Sequence, residues 1–103
     1  MTDDTGELEV TVESDGAAVR VVVSGELDIA SAPLLAPHVQ AEPSDRSVEL
    51  DLRGVTFIDS SGLRLLIDAH RSLGDRLRIV PSPACERLFE IAGVRDRLPV
   101  VET

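Results

Sequence analysis

The sequence predicts an α/β fold: a small mixed β-sheet, an N-terminal antiparallel hairpin joined to parallel strands, with helices mainly on one side. Three observations predict it. Residues 8–13, alternately apolar and polar, and the more apolar 19–23 lie on either side of a Ser14-Asp15-Gly16 turn signal, which reads as a hairpin. After residue 29 strand patterns alternate with helical ones, and that alternation implies right-handed crossovers between parallel neighbours. Residues 48–66, VELDLRGVTFIDSSGLRLL, are a strand, a tight turn and a helix in succession.

The elements follow in order. Residues 1–6 are a polar leader, expected to fray. Leu8, Val10 and Val12 alternate with Glu9, Thr11 and Glu13, a strand with one wet face, and 19–23 is a more apolar partner. Ser24-Gly25-Glu26-Leu27-Asp28 ends that strand. Ser31 is a candidate N-cap for a short helix carrying Leu34, Leu35 and Val39, with Pro33 tolerated in its first turn and Pro37 weakening it. Residues 42–47 are a polar connection. Val48, Leu50 and Leu52 alternate with Glu49 and Asp51; Gly54 punctuates, and Val55, Phe57 and Ile58 continue the apolar run.

Asp59-Ser60-Ser61-Gly62 then interrupts it with three hydrogen-bond acceptors, as a helix N-terminus requires. Leu63, Leu66, Ile67, His70 and Leu73 lie on one arc at 3.6 residues per turn. Leu77, Ile79 and Val80 form another strand. Pro81-Ser82-Pro83 opens a third helix with Ala84, Leu88, Ile91 and Ala92 on its apolar side and Phe89 near its edge, closed by Gly93. Leu98, Val100 and Val101 are a candidate last strand.

The chain has 103 residues, 43% of them hydrophobic, which favours one domain over 1–103 with its core at about 8–101. The net charge of −9 disfavours nucleic acid and anionic membrane as partners and suits a protein with a basic face. The charge is uneven: residues 1–30 hold eight acidic residues and one Arg, so the N-terminal third is the acidic pole. One cysteine, Cys85, excludes an internal disulfide and suits a reducing compartment. The longest uncharged run, 29–41, contains two prolines and is too short to span a bilayer. The N-terminus lacks the basic and apolar regions of a signal peptide, so the chain reads as cytoplasmic. His38 and His70 are isolated and nothing has metal-ligand spacing, so neither metal nor cofactor is expected.

Three segments, SGELDIASA at 24–32, DLRGVTFIDSSGLRLL at 51–66 and RLFEIAGV at 87–94, occur in the order and spacing of STAS domains. The chain resembles the bacterial anti-sigma factor antagonists of that family, over about residues 8–101. The resemblance implies a protein-binding switch. The antagonist docks on an anti-sigma factor that is also a serine kinase, the sigma factor is freed, and the kinase phosphorylates the first serine of D-S-S-G, here Ser60. The partner then lets go, and a serine phosphatase resets the switch. The family usually carries a further C-terminal helix, which in this chain is expected to be missing or very short.

On residue chemistry alone Ser60 is a helix cap; the resemblance makes it a phosphoacceptor. Asp59 is either a cap or a group orienting the Ser60 hydroxyl. Ser61 is an adjacent cap or an alternative acceptor. Gly62 either permits close approach of a partner or answers a steric need at the turn. Asp28, with Glu26 beside it, follows a strand as Asp59 does, and parallel neighbours would bring the two loops to one sheet end. Arg64, one turn after Ser60, is placed to pair with a phosphate. Leu65 falls outside the apolar arc and is a candidate partner contact. Cys85 reads as a small core residue.

An enzyme fits poorly. A serine hydrolase elbow needs a glycine where Ile58 stands, and His70 lies ten residues from Ser60, about 15 Å along a helix. A phosphorylation-independent STAS subunit of a lipid-transport or stress-signalling complex is the remaining alternative to the switch, and a monomer is expected in either case.

Overall fold

The computed structural model describes residues 7–14, 16–40 and 46–101. The leader at 1–6, Asp15 of the hairpin turn and most of the 42–47 connection lie outside them. Strands β1 (Glu9–Ser14) and β2 (Ala18–Leu27) form the antiparallel hairpin, turning through Gly16 at φ +92°. Helix α1 (Ala32–Gln40), strand β3 (Ser47–Ile58), helix α2 (Ser60–Leu73), strand β4 (Leu77–Val80) and helix α3 (Pro83–Ala92) follow. The sheet order is β1-β2-β3-β4, with the last two pairings parallel. Every crossover steps in the same direction across the sheet, so right-handed connections bring the helices to one side. No helix among the described residues is long and apolar enough to cross a membrane.

Alternation along the strands decides which side chains meet the helices. Val19, Val21 and Val23 of β2, Val48, Leu50 and Leu52 of β3, and Leu77 and Ile79 of β4 are all buried. They join Leu35 and Val39 from α1, Leu65, Leu66, Ala69 and Leu73 from α2, and Cys85 and Phe89 from α3 in one core. Each such aliphatic or aromatic side chain contributes about 1.5–3 kcal/mol by leaving water.

The intervening residues make an ionic ladder on the other face. Arg20 reaches Glu49 at 3.1 Å and Asp51 at 2.6 Å, and Arg53 reaches Asp51 at 2.8 Å. Hydrogen bonds from the Arg53 guanidinium, opposed by burial and aided by the Arg53 backbone N–H and the charge of Arg20, hold Asp51 below the ordinary carboxylate value. A depressed folded pKa means that this stabilisation is complete above the ordinary value of 3.8 and is lost as the pH falls through the lower folded value. Asp51→Asn is therefore expected to lower stability near neutral pH and to flatten the loss of stability below about pH 4, read by urea unfolding at a series of pH values. An acid limb as steep as that of the unmodified protein would remove Asp51 from the linkage.

Several expectations shift. β2 runs through Ser24-Gly25 to Leu27 instead of stopping near Val23, because β3 stays paired alongside it through two register irregularities. Gly25 sits at φ +100°, and a Cβ on Gly54 would stand 2.8 Å from that of Ser24, so glycine lets the two strands stay close. The last strand contracts to one parallel bridge, Ile79 with Val100, fixed by Ile79 N–H to Pro99 C=O and Val101 N–H to Ile79 C=O.

The helices are rotated from their expected phase. α2 buries Gly62, Leu65, Leu66, Ala69 and Leu73, while Leu63 and Ile67 are only partly buried. α3 buries Cys85 and Phe89 and leaves Ile91 76% exposed. Leu34 of α1 is turned outward, 57% exposed.

Candidate functional site

Pairing of Leu27 with Ile58 carries β2 and β3 to a common end of the sheet, and Asp28 and Asp59 are the next residue on each chain. Asp59 N–H donates to Leu27 C=O at 3.2 Å, tying the two loops together. The expectation that parallel neighbours join these loops is met.

The D-S-S-G segment offers three acceptors for the start of α2, and the backbone selects the first. Asp59 is extended (φ −113°, ψ −171°), and its Oδ1 accepts from Ser61 N–H at 2.9 Å and Gly62 N–H at 3.2 Å. Its carbonyl accepts the first helical bond, from Leu63 N–H. The cap is thus Asp59, and neither serine hydroxyl fills that role. Ser60 is the first helical residue and is exposed; Ser61, behind it, is half-buried.

Stability should report this division. Asp59→Ala is expected to cost about 1 kcal/mol, and Ser60→Ala only a few tenths. Urea unfolding of the two variants checks it, and a larger loss at Ser60 would return the capping role to the serine.

Gly62 is buried where α2 leaves the sheet. A Cβ there would lie 2.8 Å from Ile58 Cγ1, 2.9 Å from Leu27 Cγ and 3.0 Å from the Leu27 carbonyl oxygen. The glycine answers an internal steric need, and the partner-approach role expected of it is corrected. Leu65 is corrected too: it is 6% exposed and belongs to the core, so it offers no surface to a partner. Arg64 is exposed one turn along from Ser60, and it makes no ion pair with any described residue.

The Asp28 loop is held as tightly as the Asp59 loop. Asp28 Oδ1 accepts from Ala30 N–H and Ser31 N–H, each at 3.0 Å. The Ser31 hydroxyl donates to Glu26 C=O at 2.7 Å and accepts from Asp28 N–H at 2.9 Å. Ser31 therefore knits the loop instead of capping α1, correcting the expected cap. Glu26, Asp28, Ala30, Ser31 and Leu34, with Glu7 and Leu8 from before β1, line an open groove of about 310 Å³.

Exposed apolar side chains flank this end. Ile29 is 75% exposed on the Asp28 loop beside Leu34, and Phe57 is 47% exposed on β3. None of the three is expected at the surface from the sequence pattern. Phe57 turns out because the alternation breaks between Val55 and Ile58, where the register with β2 shifts, leaving Thr56 and Phe57 both exposed.

The assembled site is an exposed hydroxyl at a helix start, an internally hydrogen-bonded acidic loop at the same end of the sheet and exposed apolar side chains nearby. Among the described residues there is no group of three or more side chains suited to holding a metal ion.

Comparison with known proteins points the same way. The profile of the family described as Mlab, STAS domain matches residues 10–102. An anti-sigma-B factor antagonist of Staphylococcus aureus (strain NCTC 8325 / PS 47) is 29% identical over 101 residues, spanning 92% of this chain and 94% of that protein. One from Bacillus subtilis (strain 168) is 26% identical over 98 residues, 90% of each. Among solved structures, an anti-sigma factor antagonist from Mycobacterium paratuberculosis superposes with a TM-score of 0.84 at 28% identity, covering 99% of this chain and 92% of that one. The unphosphorylated form of the anti-sigma factor antagonist SpoIIAA gives 0.72 at 18% identity, covering 92% and 88%, a likeness of fold. With its mixed four-stranded sheet, its D-S-S-G helix start and these relatives, the chain belongs to the STAS domain family, alongside anti-sigma factor antagonists.

Proposed function

We propose that the protein is an anti-sigma factor antagonist, a binding module that docks on an anti-sigma factor with serine kinase activity and so releases a sigma factor. Phosphorylation of Ser60 ends the association, and a serine phosphatase restores it. The module works as a cytoplasmic monomer and carries no catalytic residue of its own.

The observation that carries this reading is the placement of Ser60. Asp59 caps the helix and relieves the serine of that duty, so the exposed hydroxyl is available to a kinase without cost to the fold. Glu26, Asp28 and Asp59 make the adjoining surface acidic, which suits a partner with basic groups around its nucleotide site. Ser61, half-buried behind Ser60, supports the loop and lies at the edge of the docking face. Arg64 lies four residues beyond Ser60 and is the residue positioned to pair with the phosphate once it is attached.

Charge reversal at the rim tests the docking face. Asp28→Lys is expected to slow association with an anti-sigma factor kinase by about tenfold at low salt and to flatten the salt dependence of the rate. Stopped-flow association over a range of salt concentrations reads both. Unchanged kinetics across that range would exclude the Asp28 loop from the interface.

A further inference from the structure

A second concavity lies at the far end of α2 from Ser60. Ile67, His70 and Arg71 of α2 face Val94, Arg97 and Leu98 of the C-terminal segment across a cavity of about 400 Å³. That volume is within the usual range for small-molecule sites, about 300–1,000 Å³. Ile67 and Arg71 are about 10–17 Å along the helix from Ser60, so the cavity is separate from the docking face.

Its charge is opposite in sign to the net charge of the chain. The chain holds 19 acidic residues against 10 Arg, yet among the described residues this lining has two arginines and no carboxylate. Arg71 and Arg97 are both exposed and make no ion pair with any described residue, whereas Arg20, Arg53 and Arg95 are all committed to carboxylates. The rest of the lining includes the apolar residues Ile67, Val94 and the buried Leu98.

We propose that this cavity binds an amphiphilic organic anion, a carboxylate carrying an aliphatic body. The aliphatic part lies on Ile67, Val94 and Leu98, and the carboxylate is held between Arg71 and Arg97. Guanidinium groups suit this task because their planar forks match a carboxylate in geometry and charge. The His70 ring closes one wall and offers a further ring nitrogen for hydrogen bonding. The assignment is independent of Ser60 and stands whether or not that residue is a switch.

The test is a titration of the full-length, isotopically labelled protein with octanoate, followed by amide NMR, with 1-octanol as the uncharged control. Octanoate is expected to give saturable shifts centred on Ile67, Arg71, Val94 and Leu98. Binding should weaken at least about tenfold in Arg71→Gln and in Arg97→Gln, and 1-octanol should bind weaker by a similar factor. Both arginines are exposed, so the variants are expected to fold, which their amide spectra check directly. Absence of saturable shifts at these residues up to about 10 mM octanoate would overturn the proposal. So would equal binding of 1-octanol, or octanoate binding that survives loss of both arginines.

Discussion

Gly62→Ala is expected to destabilise the protein by about 1–3 kcal/mol, although alanine is the better helix former. Helix propensity alone would favour alanine by about 1 kcal/mol. Here the added methyl stands 2.8 Å from Ile58 Cγ1 and 3.0 Å from the Leu27 carbonyl oxygen. The carbonyl belongs to the strand that also fixes Asp59 N–H, so it cannot retreat without loosening the loop pair. The first turn of α2 must shift instead, displacing Ser60 and the Asp59 cap with it. Partner affinity is expected to fall along with stability. Urea unfolding decides the sign: a more stable Gly62→Ala protein would mean that the turn has room the packing denies.

Ser60→Glu is expected to keep its fold and lose at least about 100-fold in affinity for an anti-sigma factor kinase, which is roughly 2.7 kcal/mol. The folded state has little reason to object, because the side chain is exposed and Asp59 already supplies the cap. The Asp59 carboxylate next to residue 60 opposes an added negative charge, and Arg64 one turn on offsets it. The complex has a stronger objection. A kinase acting on Ser60 must bring its nucleotide phosphates to that hydroxyl, so an anion there meets like charge in a site closed to water. A true phosphate, carrying roughly −1.5 to −2 charges, should act more strongly than glutamate. A Ser60→Glu protein that melts far lower would mean that the charge works by unfolding.

Much of this arrangement is legible in the sequence because it rests on periodicity. The two-residue alternation of 48–52 gives the side of β3 that meets the core, Val48, Leu50 and Leu52, and the order of elements gives the parallel crossovers. The meeting of the Asp28 and Asp59 loops follows from those two facts alone. On β1 the expected dry face fails at Val12, which is 46% exposed on the edge strand. Helix phase is harder. In α2 the apolar residues Leu63, Leu65, Leu66 and Ile67 crowd one and a half turns, so more than one arc fits, and Gly62 gives no hydrophobic signal. Packing of that glycine against Leu27 and Ile58 sets the rotation that buries Leu65.

α3 shows the same limit, since Phe89 and Ile91 are both apolar and only their contact with the sheet decides between them. Caps fail for a different reason. Asp59, Ser60 and Ser61 are all chemically able to cap, and the choice depends on which residue keeps an extended backbone at the end of β3. Ser31 has the composition of a cap, yet the Glu26 carbonyl competes successfully for its hydroxyl.

The proposed switch rests on Ser60 as the exposed acceptor of a phosphate that ends docking. Its most direct test is to incubate the protein with an anti-sigma factor kinase and ATP, map the phosphosite by mass spectrometry and titrate the purified product against the kinase. One phosphate is expected, on Ser60, absent from Ser60→Ala, with a product that binds at least about 100-fold more weakly while its melting temperature is unchanged. A phosphorylated protein that binds as tightly as before, or a phosphate found on Ser61 instead, would contradict it.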